Sequence, residues 1–176
     1  WLTGESYHVK RFINQQMKNK LAEILKKEEF DIVQMESIFL TPYVPLVRKL
    51  SKAKVVLRSP NVENMIWKRT YKATKNPLKR YYLKHLALTL EYYEKENINQ
   101  YDAIFPVTDV DANYFIENGY RKLCKAVAVG IETPEFIPDV LEEENSIFHI
   151  GSMNWFPNEQ GIKWFLESCW KAVKAA

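Results

Sequence analysis

Glycine is scarce. The chain has five among 176 residues, and none falls into the spacing that cradles a dinucleotide or the phosphates of a nucleoside triphosphate. Cysteine is scarcer still. Cys124 and Cys169 stand far apart and outside any C-x-x-C pair, which argues against a disulfide framework or a cysteine zinc site and fits a reducing compartment. No Gly-x-Ser-x-Gly elbow is present, so serine-hydrolase chemistry has no support. His8, His85 and His149 are isolated and lack metal-ligand spacing. His149 lies in an apolar run and reads first as a hydrogen-bonded core histidine. No apolar run approaches the ~18 residues of a membrane span. The net charge is only +3, too small to demand nucleic acid as a partner.

What is present is a globular composition. Hydrophobic residues make up 47% and charged residues 27%, which excludes a disordered chain, and 14% aromatics permit a substantial core. The length suits one domain, or one domain with part of a second. The chain opens on Trp1 without a signal-peptide pattern and stops at Lys171–Ala176 inside a helical pattern. The expectation is an internal piece of a longer polypeptide, incomplete at both ends.

Periodicity predicts alternating helices and short apolar strands. A helix is expected over Lys10–Lys27, a strand over Asp31–Met35, and a helix over Phe39–Leu50 with Pro42 and Pro45 near its first turn. A strand at Lys54–Leu57 leads into a loop and a short helix ending near Trp67. Asn76-Pro77 is a helix start, and Leu78, Tyr82, Leu86, Leu90 and Tyr93 form its inward stripe. Strands are expected at Asp102–Pro106, Lys125–Val129 and Ser146–Ile150. Thr108 should cap one helix with Asp111 as its box partner, and Asn118-Gly119 should end it. This order predicts an α/β fold with a parallel Rossmann-like sheet. The expected division is 1–132 as one domain, 133–145 as a hinge, and 146–176 as the start of another. Ligands of such sheets bind beyond the carboxyl ends of the strands.

Three segments carry candidate chemistry. Arg58-Ser-Pro-Asn-Val-Glu63 places a cation, an amide and a carboxylate just past a strand, as a sugar or phosphate site would, since Arg clamps phosphate with two N–H groups. It also reads as a surface turn with Asn61 capping the next helix. Between Glu63 and Glu91 no acidic residue occurs, while Lys68, Arg69, Lys72, Lys75, Lys79, Arg80 and Lys84 do. This stretch reads either as a solvated helix face with its aromatics in the core, or as a patch for anionic lipid or a pyrophosphate-linked acceptor. A nucleic-acid binder is a weaker option. Finally, Gly151-Ser-Met-Asn-Trp-Phe-Pro-Asn158 runs from an expected strand into a helix, where backbone N–H groups can meet an anion.

Taken together, Arg58–Glu63 with Ile66-Trp67 and Arg69, Leu90–Glu94, Tyr101–Ile104 with Thr108 and Asp109, Val129–Glu132, and Gly151–Asn158 with Gly161 and Trp164-Phe165 resemble the family 4 glycosyltransferases. The resemblance implies GT-B architecture: the back half of an acceptor-side domain, a hinge, and the first strand and helix of a donor-nucleotide domain. It implies retaining transfer of a sugar from a nucleotide-diphosphate sugar to a glycan or lipid-linked acceptor. No cofactor or metal is expected, and no nucleic acid. From the cysteines and the Lys68–Lys84 patch, the location expected is cytoplasmic, peripheral at the inner membrane surface. Arg58, Asn61 and Glu63 would be the catalytic, acceptor-side residues, and Thr108, Gly130, Gly151, Ser152 and Asn154 would meet the donor. Pro60 departs from the family, which often has histidine there. Ser152 and Met153 stand where many relatives carry a basic residue. The alternative is a non-catalytic Rossmann-like module. The piece alone is expected to be inactive and to self-associate.

Overall fold

The structure is a computed structural model, and it describes residues 6–130, 132 and 146–175. The chain divides into two compact units, Trp1–Ile131 and Glu132–Ala176. The expected hinge 133–145 lies outside the described residues.

The first unit opens with α1 (Tyr7–Lys10) and α2 (Gln15–Lys27). One continuous helix was expected here. Instead Asn14 breaks the run and caps α2, its side chain accepting from the Gln16 N–H at 2.7 Å. An amide oxygen at this position satisfies donors that a helix start otherwise leaves bare. Strand β1 (Ile32–Met35) follows, then a 3₁₀ turn (Ile38–Tyr43) and α3 (Val44–Leu50). The expected single helix is split because Pro42 has no N–H to continue an α ladder, whereas Pro45 fits the first turn of α3.

Strand β2 (Lys54–Ser59) leads into α4 (Glu63–Ala73) and α5 (Pro77–Asn97). Helix α4 runs beyond the expected end at Trp67. Strand β3 (Ala103–Pro106), helix α6 (Asp109–Glu117) and strand β4 (Leu123–Cys124) complete the sheet. All four strands are parallel, in the order β1-β2-β3-β4. The fold is therefore α/β around a parallel Rossmann-like sheet.

Strand β4 begins earlier than expected. Lys125 and Val127 still donate to the Ile104 and Pro106 carbonyls at 3.2 and 2.7 Å, but as an outer strand with one neighbour its ladder is loose. Val55, Leu57 and Ile104 fill the centre of the core without exposed surface. Asp102 fastens the start of β3 to its neighbours, accepting from the Val55 N–H at 2.7 Å and from Arg48 at 2.8 Å.

In the second unit, α7 (Phe156–Ser168) and α8 (Trp170–Ala175) are present. The expected strand at Ser146–Ile150 is not: these residues are irregular, with Phe148 81% and Ile150 86% exposed. Apolar side chains favour extended backbone, but a strand persists only with a ladder partner, and none pairs with it among the described residues.

Candidate functional site

Parallel strands deliver their following loops to one edge of the sheet. Register places Met35 beside Leu57, and Ser59 beside Pro106, at that edge. Arg58 is the penultimate residue of β2 and lies on the strand itself, not in the loop. Its guanidinium donates to Glu36, just past β1, at 3.0 Å. Gln34 and then Arg58 hold the Glu36 carboxyl below its ordinary range. Glu36 is a partner that sequence reasoning missed, because only the register of neighbouring strands brings it there.

The turn after β2 is closed by Ser59, whose hydroxyl donates to the Asn61 carbonyl at 2.8 Å. The expected cap by Asn61 is not made: Val62 occupies the cap position of α4 and offers no side-chain hydrogen bond. The Asn61 side chain is exposed at the edge. Glu63 opens α4, half-buried, and burial pushes its carboxyl up.

The missing cap is supplied from another helix. Glu94, on α5, is buried and accepts from the Asn64 N–H at 3.2 Å; the Glu63 backbone also bonds to it. The Asn64 amide donates to the second Glu94 oxygen and to the Tyr114 hydroxyl, the latter at 2.7 Å. Burial pushes Glu94 up to about 7, against the hydrogen bonds from Asn64 and with added repulsion from Glu63. Burial likewise pushes the Tyr114 hydroxyl up to about 12. The Asn64 side-chain oxygen is buried without a partner among the described residues. The Glu94 carboxyl thus accepts the hydrogen bonds that the first turn of α4 leaves open, and it ties down the turn that carries Asn61 and Glu63. One signal was available in sequence: Leu83, Leu90 and Glu94 fall on one face of α5, so a carboxylate stands on the apolar stripe.

Thr108 lies beyond β3 at the same edge. Its hydroxyl accepts from the Asp111 N–H at 3.1 Å and donates to the Asp111 carboxylate at 2.9 Å. The cap is made as expected, but the Asp111 carboxylate bonds to the Thr108 hydroxyl, where the expected capping box would bond the Thr108 N–H, and both bonds occupy the hydroxyl of this donor-side candidate. Gly130 is exposed, and a Cβ there would meet nothing within 4 Å. Neither packing nor backbone geometry requires glycine at that point.

The remaining candidates belong to the second unit. A Cβ on Gly151 would lie 2.7 Å from His149 Nε2 and 2.8 Å from Asn158 Nδ2, so any larger residue would push the ends of these two side chains aside. The Ser152 carbonyl accepts from the Trp155 N–H at 3.1 Å and from the Asn158 amide at 3.0 Å. Asn158 thereby folds the loop back onto the start of α7. Ser152 and Asn154 are exposed. His149 is exposed too, not in a core as expected, because the strand meant to bury it does not form. Behind the loop lies a hollow of about 490 Å³, lined by Phe148, Ile162, Phe165 and Trp170 among others.

The structure thus gathers Arg58, Glu36, Asn61, Glu63 and Thr108 along one edge in the first unit, and Gly151, Ser152 and Asn154 in one loop of the second. A larger hollow of about 600 Å³ opens elsewhere in the first unit, among α1, the 3₁₀ turn and α5, and holds none of the nominated residues. Among the described residues no group of three or more His, Cys, Asp or Glu could hold a metal ion. No helix among them is long and apolar enough to cross a membrane. No family model, no curated protein and no solved structure matches the chain, so the functional argument rests on the sheet edge and the two loops themselves.

Proposed function

We propose that the chain is part of a retaining glycosyltransferase resembling family 4, which moves a sugar from a nucleotide-diphosphate sugar to a hydroxyl of a glycan or lipid-linked acceptor. One observation carries this reading. A parallel sheet presents Arg58, Asn61 and Glu63 together at its carboxyl edge, with Glu94 hydrogen-bonded to the start of α4 just after the turn. Sugar transfer is mostly positioning and charge stabilisation, and a rigid polar edge suits both. Arg58 would attract phosphate or sugar oxygens; Asn61 and Glu63 would orient the acceptor hydroxyl. In the second loop, Gly151 lets backbone N–H groups approach the diphosphate, with Ser152 and Asn154 beside it. The sugar C1–O bond to the diphosphate breaks with its electron pair leaving on phosphate, a C1–O bond to the acceptor forms on the same face of the ring, and the acceptor hydroxyl proton passes to the departing phosphate oxygen. No metal or cofactor enters this reading; the nucleotide sugar is the co-substrate. A cytoplasmic site at the inner membrane surface, with the fragment inactive when separated from its remaining domain, belongs to the same proposal.

A second reading, a non-catalytic Rossmann-like binding module, is favoured by Arg58 and Pro60. The Arg58 guanidinium is engaged by Glu36, and Pro60 offers no polar side chain. Titration calorimetry of the longer parent polypeptide against UDP, GDP and their common sugars separates the two. Micromolar binding of one diphosphate, with transfer lowered about 100-fold by Arg58→Ala, is the transferase result. A folded protein that binds none of them is the module result.

A further inference from the structure

Helix α5 has two apolar faces. One is buried: Leu83, Leu86, Ala87 and Leu90 pack inward. The other faces out. Leu78 is 83% exposed, Tyr81 73%, Leu88 46% and Tyr92 65%, at three- and four-residue multiples that place them on the opposite side of the helix. Leu78 was expected in the inward stripe and sits on the outward one, and Tyr81 was expected in the core. Neither face is explained by the sheet edge described above.

The outer stripe is bordered by cations. Helices α4 and α5 form a hairpin around Thr74–Asn76, and Arg69, Lys72, Lys75, Lys79, Arg80 and Lys84 on it are exposed. Of the basic residues in this window, Lys68 is drawn inward to Glu91, at 2.7 Å, and Glu91 also holds Lys95 at 2.8 Å. The nearest carboxylate is therefore occupied, and the hairpin contains no other between Glu63 and Glu91. Its surface is positive and apolar at once.

We propose that the outer face of α5 seats this protein on an anionic lipid surface, with Leu78, Tyr81 and Leu88 entering the headgroup layer and Arg80 and Lys84, on the flank of that face, meeting lipid phosphates. A helix with a basic flank and a leucine–tyrosine stripe lies in the plane of an interface. Tyrosine suits that depth because its ring is apolar and its hydroxyl stays wet. Each cation gains attraction from the negative surface. The aliphatic members of the stripe decide against nucleic acid, which rewards aromatic stacking and cations but has no place for exposed leucines. The helix lies on the bilayer and does not span it. The inference deepens the membrane placement in the proposed function, and loss of lipid binding would leave nucleotide binding to be read separately.

The test is flotation of the full chain with vesicles of phosphatidylcholine alone and of an equimolar mixture with phosphatidylglycerol. Binding is expected only to the anionic vesicles. The double variant Arg80→Gln/Lys84→Gln should weaken it about 30-fold. The variant Leu78→Ser/Tyr81→Ser/Leu88→Ser, which keeps every charge, should weaken it by at least about 10-fold. All five positions are outside the buried core, so circular dichroism and melting should match the parent, and single Leu78→Ser provides a milder check. Absence of binding to anionic vesicles overturns the proposal, as does binding that survives loss of the apolar stripe. Tighter binding to single-stranded RNA, displacing the vesicles, also overturns it.

Discussion

Glu94 carries a carboxylate into the interior, and its proton then reports on the fold. Folded, it titrates near 7, against 4.5 as its ordinary value. A group with a raised folded value stabilises the fold fully below its unfolded value and loses that contribution as pH rises through the folded one. Wild-type stability should therefore fall between about pH 4.5 and about pH 8, by roughly 3 kcal/mol from this residue. Glu94→Gln removes the titration. Urea unfolding at a series of pH values should show the variant gaining on wild type by that amount across the window. A difference that stays flat with pH would mean the carboxylate is not buried as described. His8 runs the opposite way. It is buried against the Trp67 ring, centroids 4.1 Å apart, and both ring nitrogens lack partners among the described residues. Burial first, and Arg11 second, hold it below its ordinary value of 6.5. Its contribution is present above pH 6.5 and is lost as the medium becomes acid, because the proton must enter an unsatisfied ring. His8→Phe keeps the aromatic contact and removes the charge. It should raise the melting temperature most at acid pH, and an equal gain at neutral pH would show that the imidazole was not titrating.

At the scale of elements, local signals decide where helices begin and end, and these were the most legible parts of the sequence. Thr108 reads as a helix cap and forms one, accepting from the Asp111 N–H; Asn76 accepts from the Lys79 N–H at 3.0 Å, as its place before Pro77 suggests. Thr108→Ala should lower stability by about 1 kcal/mol, measurable by denaturant titration. Gly119, after α6, has φ +96, and a Cβ there would meet nothing within 4 Å. The space is open and the backbone is not: Gly119→Ala should still cost about 1 kcal/mol or more, because L residues seldom adopt that φ. An unchanged melting curve would refute the strained turn. What escaped sequence reading lacks such local signals. The Glu36 contact to Arg58 depends on strand register, and the Glu94 cap of α4 joins residues thirty positions apart. The Ser146–Ile150 run has strand-like side chains, yet pairing partners, not side chains, make a strand. The parallel sheet was legible because buried strands are short apolar runs between helices, whatever their neighbours.

At the scale of the molecule, the two units differ in how they are held. The first has a continuous core from Leu25 through Tyr120 around the sheet. In the second, none of the residues whose burial is described is buried, while Ile147, Phe148, Ile150, Trp155, Trp164 and Leu166 are each more than half exposed. Apolar surface on that scale is unfavourable in water, and burying it against a like surface is the direct relief. Self-association through residues 146–175 is therefore expected. Sedimentation velocity should give an average mass that rises with concentration, and Phe148→Ser/Ile150→Ser/Trp164→Ser should return the chain to monomer at the same concentrations. These positions lie outside the first core, so the far-ultraviolet signal of the sheet and its helices should persist in the variant. The hairpin variants at Leu78, Tyr81 and Leu88 should leave the sedimentation unchanged, which separates association of the second unit from lipid binding by the first. A single monomeric species of the parent chain at every concentration would remove the second unit as the source of association.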